Sequence, residues 1–505
     1  MLQRPDDIFE RFARLGWKGR GGILAALGVF IALGHAPLDW WFASVIGLAV
    51  ALFLMRSAPD LRTALWHGWA LGVGYFGFSL RWIISPFLVD IARDGWMAPF
   101  AVVLMAAGFA LFWMLAAGIT HKVFKGGIIG LALSIVAVEA LRSLILTGFP
   151  WALLGHVLIP TFLGQAAAVG GPHLLTLIVT LLSASLAMLG VGRVKMGLSS
   201  AALTVATAAM FAFVNLATTS VARSLNDGPI VRLIQPNAPQ DEKWDIEKRD
   251  IFFNRMLEFT GTGEIPDLIV WPESAIPTLL NYADPELELV SEAARGAPLI
   301  VGVNRAQGGL YFNSFVLMGR GGAIDAFYDK QHLVPFGEYV PGGDLLHNVG
   351  IQGFGSSYGG GFSAGEGIRT INVPGIGPIR PLICYEGIFA EEVGGTETRP
   401  RALVLITNDA WFGKDAGPYQ HLAQARLRAI EQGLPMVRVA NTGVSAMIDP
   451  YGKITASINM NTAGFIDAVL PDALPPTPYS KYGDIPVFLL LIVLMSGLFW
   501  RKRQF

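Results

Sequence analysis

Cys384 is the only cysteine among 505 residues, and it ends a short apolar run, Arg380-Pro381-Leu382-Ile383-Cys384-Tyr385-Glu386-Gly387. Such a run reads as a buried strand that delivers a thiol to its C-terminal end, next to a phenol and a carboxyl that can exchange protons. A lone cysteine makes no intrachain disulfide, and zinc sites needing two thiolates are excluded by count. Taken alone, it reads as a small buried hydrophobe. Two other strand ends add to the picture. Asp267-Leu268-Ile269-Val270-Trp271-Pro272-Glu273-Ser274 is an apolar run stopped by Trp-Pro and followed by a carboxylate. Ala326-Phe327-Tyr328-Asp329-Lys330-Gln331-His332 leads from the Gly321-Gly322 turn to a lysine, and Pro335 and Gly337 shape the loop beyond it. Alone, each charge reads as solvated surface. Together, Glu273, Lys330 and Cys384 supply a base, a cation and a nucleophile. A free thiol, with pKa about 8.5, is mostly protonated at neutral pH. A neighbouring ammonium is expected to lower that pKa, a carboxylate to take the proton, and the ammonium to hold the oxyanion after attack on a carbonyl.

The ordered set Trp-Pro-Glu (271–273), Tyr-Asp-Lys-Gln-His-Leu-Val-Pro-Phe-Gly-Glu (328–338) and Cys-Tyr-Glu (384–386) resembles the nitrilase superfamily, whose members use a Glu-Lys-Cys triad. The longer wording is similar to the apolipoprotein N-acyltransferase family, the membrane-bound branch. That resemblance takes in Gln240-Asp241-Glu242-Lys243-Trp244, Tyr311-Phe312-Asn313-Ser314, and Thr407-Asn408-Asp409-Ala410-Trp411-Phe412-Gly413. It continues through Gln420-His421, Asn441-Thr442-Gly443-Val444-Ser445 and, nearer the N-terminus, Glu139-x-x-Arg142 with Gly148-Phe149-Pro150-Trp151. It implies Glu273 as proton acceptor, Lys330 as stabiliser of oxyanion and thiolate, and Cys384 as nucleophile. Glu338 would support the lysine, and Glu386 would lie beside the nucleophile. Tyr385, Trp244 and Asn313 are implied as further supporting residues. It also implies acyl transfer from a membrane phospholipid to the N-terminal diacylglyceryl-cysteine of an apolipoprotein, with no cofactor and no metal.

Other readings remain open. Glu338 and Glu386 can be loop salt bridges, and Glu139 and Arg142, one helical turn apart, can simply pair near the outer membrane interface. His332 and His421 read as structural hydrogen-bonding residues, since no His-Glu-x-x-His or other close metal-ligand spacing occurs. The glycine-rich stretch from Gly350 to Gly367 does not join a strand to a helix, so it reads as a surface loop rather than a dinucleotide loop. Its Phe354, Tyr358 and Phe362 suggest a lid that touches lipid. A tethered amidase that passes its acyl group to water is one rival function. A transporter or receptor with an outer ligand-binding domain is another, opposed by the scarcity of ionisable residues in the apolar segments.

The chain is 53% hydrophobic and 15% charged, too apolar for a soluble protein of its length. A net charge of −1 and no basic stripe argue against a nucleic-acid partner. A span needs about 20 apolar residues. Candidates lie near 22–36, 40–55, 64–83, 97–120, 126–143, 166–190 and 198–218, with one more at 484–500. The segment 143–163, broken by Gly148, Pro150 and Pro160, reads as a loop or re-entrant piece. This count places the basic clusters at 4–20, 56–62, 122–125, 193–195 and 501–503 on one side of the membrane. The expected organisation is a seven-helix domain over 1–220, a nitrilase-like domain over 221–480 and a last helix with a basic tail over 481–505. Both termini would be cytoplasmic and the large domain would face the periplasm of a bacterial inner membrane. The charged N-terminus and the lack of a small-residue cleavage pattern argue against a removed signal peptide. From Gly228 onward, strands and helices alternate as in an α-β-β-α sandwich.

Overall fold

The computed structural model describes residues 5–56, 58–217, 228–319, 321–342, 361–395 and 398–503. The expected domain boundary at 220, and Arg4, Arg320, Phe354 and Tyr358, lie outside them. The chain forms two compact units, one made of 1–220 with 477–505 and the other of 221–476.

A helix occupies each of the eight apolar stretches of the first unit: Trp17–Ala32, Trp41–Met55, Leu61–Ser79, Ala98–Val123, Ile128–Leu144, Ala167–Gly190, Val194–Ala217 and Ile485–Arg503. Among the described residues three helical segments are long and apolar enough to cross a membrane alone, and a fourth if the bent pair Leu61–Ser79 and Arg81–Leu88 counts as one. The exterior of these helices is apolar, with Leu104 68% and Leu203 69% exposed, as expected of surfaces solvated by lipid. Small residues let the helices close on one another. A Cβ on Gly74 would lie 1.9 Å from the carbonyl oxygen of Ala25, so only glycine permits that approach of Trp17–Ala32 to Leu61–Ser79.

The 143–163 segment is irregular, with 3₁₀ turns at Leu154–Leu158 and Phe162–Ala166, and its stretch 150–159 is buried. Arg142 holds it. Its guanidinium donates to the carbonyl oxygens of Phe149 at 2.6 Å and Trp151 at 2.8 Å, and pairs with Glu139 at 2.9 Å. The second oxygen of Glu139 accepts from Trp113 Nε1 at 2.9 Å. Both charged side chains are fully buried, so each depends on the other for compensation.

The second unit stacks two six-stranded sheets. In the first, β1 (Ile230–Gln235), β2 (Leu268–Val270) and β3 (Leu299–Gln307) run parallel, followed by the antiparallel hairpin β4 (Leu310–Met318) and β5 (Ile324–Asp329). In the second, β6 (Ile371–Val373) edges the parallel core β7 (Gly377–Ile383), β8 (Ala402–Thr407) and β9 (Met436–Ala440). β10 (Ser445–Ile448) and β11 (Ile454–Ile458) complete it, and β12 (Gly464–Val469) returns to pair with β1 in the first sheet. The sheets face each other through β1 against β9 and β4 against β7. Helices Arg249–Gly261 and Asp284–Ala294 cover the outer face of one sheet, and Ala416–Gln432 covers the other. This is the expected α-β-β-α sandwich. The core strands are continuous apolar runs because both faces are covered; every residue of β8 is buried.

The helix after β1 starts only at Arg249, because residues 239–248 close into turns on the carbonyl oxygens of Pro239, Glu242 and Asp245.

Arg142→Met leaves Glu139 buried without its partner and frees the 149–152 backbone. We expect a loss of about 3–5 kcal/mol, against about 1.5–3 kcal/mol for Trp113→Phe, which removes one donor to the same carboxylate. Unfolding of the detergent-solubilised protein checks this, and equal effects of the two variants would remove the pair from its structural role.

Candidate functional site

The parallel strands end on the same side of the two sheets, the usual place for chemistry in such layers. Glu273 lies three residues beyond β2, Lys330 directly follows β5, Cys384 directly follows β7, and Asn408 directly follows β8. Glu273 can sit where it does because residue 302 is glycine. A Cβ there would lie 2.6 Å from Glu273 Cα and from the Pro272 oxygen.

The charged groups form one buried cluster. Lys330 is 1% exposed, and its Nζ lies 2.9 Å and 2.8 Å from the two Glu338 oxygens and 3.8 Å from Glu273 Oε1. Asn313 Nδ2 spans both carboxylates, 2.7 Å from Glu273 Oε1 and 3.2 Å from Glu338 Oε1. The Asn408 amide donates to Glu273 Oε2 at 2.7 Å, and the Val334 amide donates to Glu338 Oε2 at 2.8 Å. Burial alone would lower the lysine pKa, but the carboxylates of Glu338 and Glu273 overcome it and hold Lys330 above its ordinary value.

Cys384 is 5% exposed and takes a left-handed backbone, φ +50°, which costs energy for any side chain but glycine. Its surroundings fix that conformation. Glu386 Oε2 accepts from the Ile383 amide at 2.7 Å, and His421 Nε2 lies 3.2 Å from the Cys384 carbonyl oxygen. Burial pushes the thiol pKa up and the Glu273 charge pushes it further, while Lys330 and the Thr407 hydroxyl oppose them. Lys330 thus lowers the thiol pKa, as expected, but burial and the Glu273 charge outweigh it and hold the thiol above its ordinary value.

The two neighbours of Cys384 in sequence do not reach for its sulfur. Glu386 Oε1 accepts from the Tyr328 hydroxyl at 2.6 Å and the Gln331 amide at 2.7 Å, so this carboxylate ties the Lys330 loop to the Cys384 loop. Burial raises its pKa, opposed by Arg380, Tyr328 and these amides. It is not a loop salt bridge. The ring of Tyr385 packs edge-on against Phe389 and His332, and His332 bonds Glu392 at 2.7 Å. Trp244 is 43% exposed and lines a small recess together with Phe252, Met256 and Pro277. Beside it, Lys243 turns inward and donates to the Glu273 carbonyl oxygen at 3.1 Å, and burial lowers its pKa to about 8 against the Glu273 charge. The described end of the glycine-rich stretch runs along the site: the amides of Phe362 and Gly365 donate to the carbonyl oxygens of Glu338 and Lys330, at 2.8 and 2.9 Å.

A second buried cluster, which the sequence did not single out as a unit, lies beyond β8. Asp409 Oδ1 accepts from Thr407 Oγ1 at 2.9 Å and lies 2.9 Å from His421 Nδ1, while Oδ2 pairs with Arg438 at 2.6 Å. Burial would raise the Asp409 pKa, but Arg438 and His421 hold it well below the ordinary carboxylate range. Among the described residues no group of three or more His, Cys, Asp or Glu side chains could hold a metal ion.

Residues 262–474 match the carbon-nitrogen hydrolase family model, and residues 27–185 match that of the apolipoprotein N-acyltransferase N-terminal domain. The chain is 36% identical to the apolipoprotein N-acyltransferase of Rhodopseudomonas palustris, covering 97% of this chain and 96% of that one. This chain belongs to the apolipoprotein N-acyltransferase family. The enzymes of the same name from Sinorhizobium fredii and Brucella melitensis are 37% and 34% identical, covering 94% and 97% of this chain and 95% and 97% of theirs. The fold of the second unit is accordingly the nitrilase-like one, and the first unit is the family's membrane domain.

The charge balance at Cys384 gives a pH test. Wild-type alkylation by a maleimide should inflect above the free-thiol value of about 8.5. Glu273→Gln deletes a charge that disfavours thiolate, so its inflection should move to lower pH. A wild-type inflection below the free-thiol value would overturn the neutral resting state.

Proposed function

We propose that this protein transfers a fatty acyl group from a membrane phospholipid to the α-amino group of the N-terminal diacylglyceryl-cysteine of apolipoproteins, through a thioester on Cys384. The observation that carries the chemistry is the buried, neutral thiol placed at a strand end with the Glu273 carboxylate and the Lys330 ammonium as its charged neighbours. Glu273 takes the thiol proton as the sulfur attacks the ester carbon. The π electrons move to the carbonyl oxygen, where the Lys330 ammonium offsets the new charge. Collapse forms the thioester and expels the lysophospholipid oxygen, which takes the proton back from Glu273. In the second half, the amine attacks the thioester, Glu273 accepts its proton, and the C–S bond breaks as the leaving sulfur takes that proton from Glu273, restoring thiol and carboxylate.

The roles of the supporting residues follow from their contacts. Glu338 keeps Lys330 charged and in place, and Asn313 fixes the spacing of the two carboxylates. Glu386 holds the loops that carry Lys330 and Cys384, while Tyr385 packs beneath them. Trp244 offers an exposed ring to a substrate chain beside its recess. The protein lies in the bacterial inner membrane with seven spans in 1–220, the catalytic domain over 221–480 in the periplasm, and a last span and cytoplasmic tail in 481–505. The one-sided placement of the basic clusters supports this orientation. Release to water, as in a tethered amidase, is not favoured, because relatives that match both units bear the acyltransferase name.

Incubation with a labelled phospholipid should give a labelled, hydroxylamine-sensitive protein, and a diacylglyceryl-cysteine peptide should discharge it. Cys384→Ala should abolish both steps, and Cys384→Ser nearly so, because a serine hydroxyl is far less acidic. Substantial transfer by the alanine variant would sink the mechanism. For the orientation, a reporter active only outside the cytoplasm should work when inserted in the 221–480 domain and fail when fused after Phe505. The opposite pattern would invert the protein.

A further inference from the structure

We propose that Thr407 is a further catalytic residue, whose hydroxyl, aligned by Asp409, hydrogen-bonds the Cys384 sulfur and stabilises it as a thiolate. The inference rests on Cys384 being the nucleophile. β7 and β8 run parallel with Ile383 beside Ile406, so the next residues, Cys384 and Thr407, leave the sheet side by side. Thr407 is fully buried beside Cys384, and its hydroxyl acts to lower the thiol pKa. That hydroxyl also donates to Asp409 Oδ1 at 2.9 Å. A hydroxyl has one hydrogen and two acceptor positions, so it can serve the sulfur in two ways.

In the resting state the hydrogen lies toward Asp409, and the thiol needs no donor. When Glu273 takes the proton from sulfur, the hydroxyl hydrogen rotates from Asp409 Oδ1 to the thiolate. Asp409 loses little, because Arg438 at 2.6 Å and His421 at 2.9 Å still hold its two oxygens. Once the C–S bond forms, the sulfur is a weak acceptor and the hydrogen returns to Asp409. Thr407 itself never ionises, so the proton count of the reaction is unchanged. The arrangement meets a need set by the site: Lys330 is shared between two carboxylates, and the Asp409 charge itself disfavours a nearby thiolate. The hydroxyl supplies a donor where the electrostatics are otherwise unhelpful. Valine has the same shape and β-branching as threonine and suits a strand equally, so it isolates the hydroxyl.

The experiment compares wild type, Thr407→Val and Thr407→Ser in two arms. In the first, the maleimide reactivity of Cys384 is followed against pH with no acyl donor present. Thr407→Val should move the inflection to higher pH, and Thr407→Ser should restore it. In the second, single-turnover acylation by labelled phospholipid should slow by roughly 10–100-fold in Thr407→Val, the range for a hydrogen bond to a charged group. Serine should again recover most of the rate. The melting curve of each variant gives its native fraction, so rates are compared per folded molecule. A Thr407→Val profile that overlays wild type, with acylation at the wild-type rate, overturns the inference. Equal losses in the valine and serine variants, tracking a fall in melting temperature, overturn it as well, since they would mark a packing role. Because the first arm needs no acyl donor, it reads Thr407 even where thioester formation itself fails.

Discussion

A lysine ammonium that is almost wholly withdrawn from water must be answered by negative charge, and most of the site follows from how Lys330 is answered. Two carboxylates, Glu338 and Glu273, sit around it, which keeps the amine protonated. Two carboxylates so close to each other would repel, so their oxygens are separately occupied by Asn313 and by the amides of Asn408 and Val334. The Glu273 backbone is in turn pinned by the Lys243 amine and admitted by the missing side chain at residue 302. Lys330 pulls the thiol pKa down, but burial and the Glu273 charge hold it above its ordinary value. In the proposed reaction Glu273 is therefore both partner of the cation and base for the sulfur.

The parts of the site carried by a single strand exit were legible from sequence. A short apolar run that stops at Trp-Pro before Glu273, or that ends at Cys384, announces a strand end whatever lies beside it. Lys243 escaped notice because nothing in Gln240–Trp244 shows which side chain turns inward; the tryptophan drew attention and the lysine is the one that reaches Glu273. The Asp409 cluster escaped because it is assembled from β8, the helix Ala416–Gln432 and β9, and only the sheet register brings these together. The edge strands β6, β11 and β12 carry a weak sequence signal because they are short or half-exposed. The net direction of the thiol shift was not legible, because sequence gives the charged neighbours but not the burial.

The helical unit obeys the same electrostatic rule in a different solvent. Its outward faces are apolar, and its buried charges are paired inside, Arg142 with Glu139. The guanidinium has donors to spare, and it uses them to hold the carbonyl oxygens of a segment that proline and glycine keep out of helix. A bare backbone among apolar helices would be costly, so the arginine makes an irregular segment tolerable there. The Glu-x-x-Arg spacing was visible in the sequence; that the arginine also serves the 149–152 backbone was not.

Glu386 joins the loop after β5 to the loop after β7 through the two oxygens of one carboxylate. Lys330 and Cys384 are thereby parts of one hydrogen-bonded frame rather than two separate arms. On the proposed thioester route, loading and unloading then meet the same spacing of sulfur, ammonium and carboxylate. Neither half-reaction can be tuned by shifting one loop alone. Discrimination between donor and acceptor must come from surfaces outside the frame, which are free to vary while the frame is not.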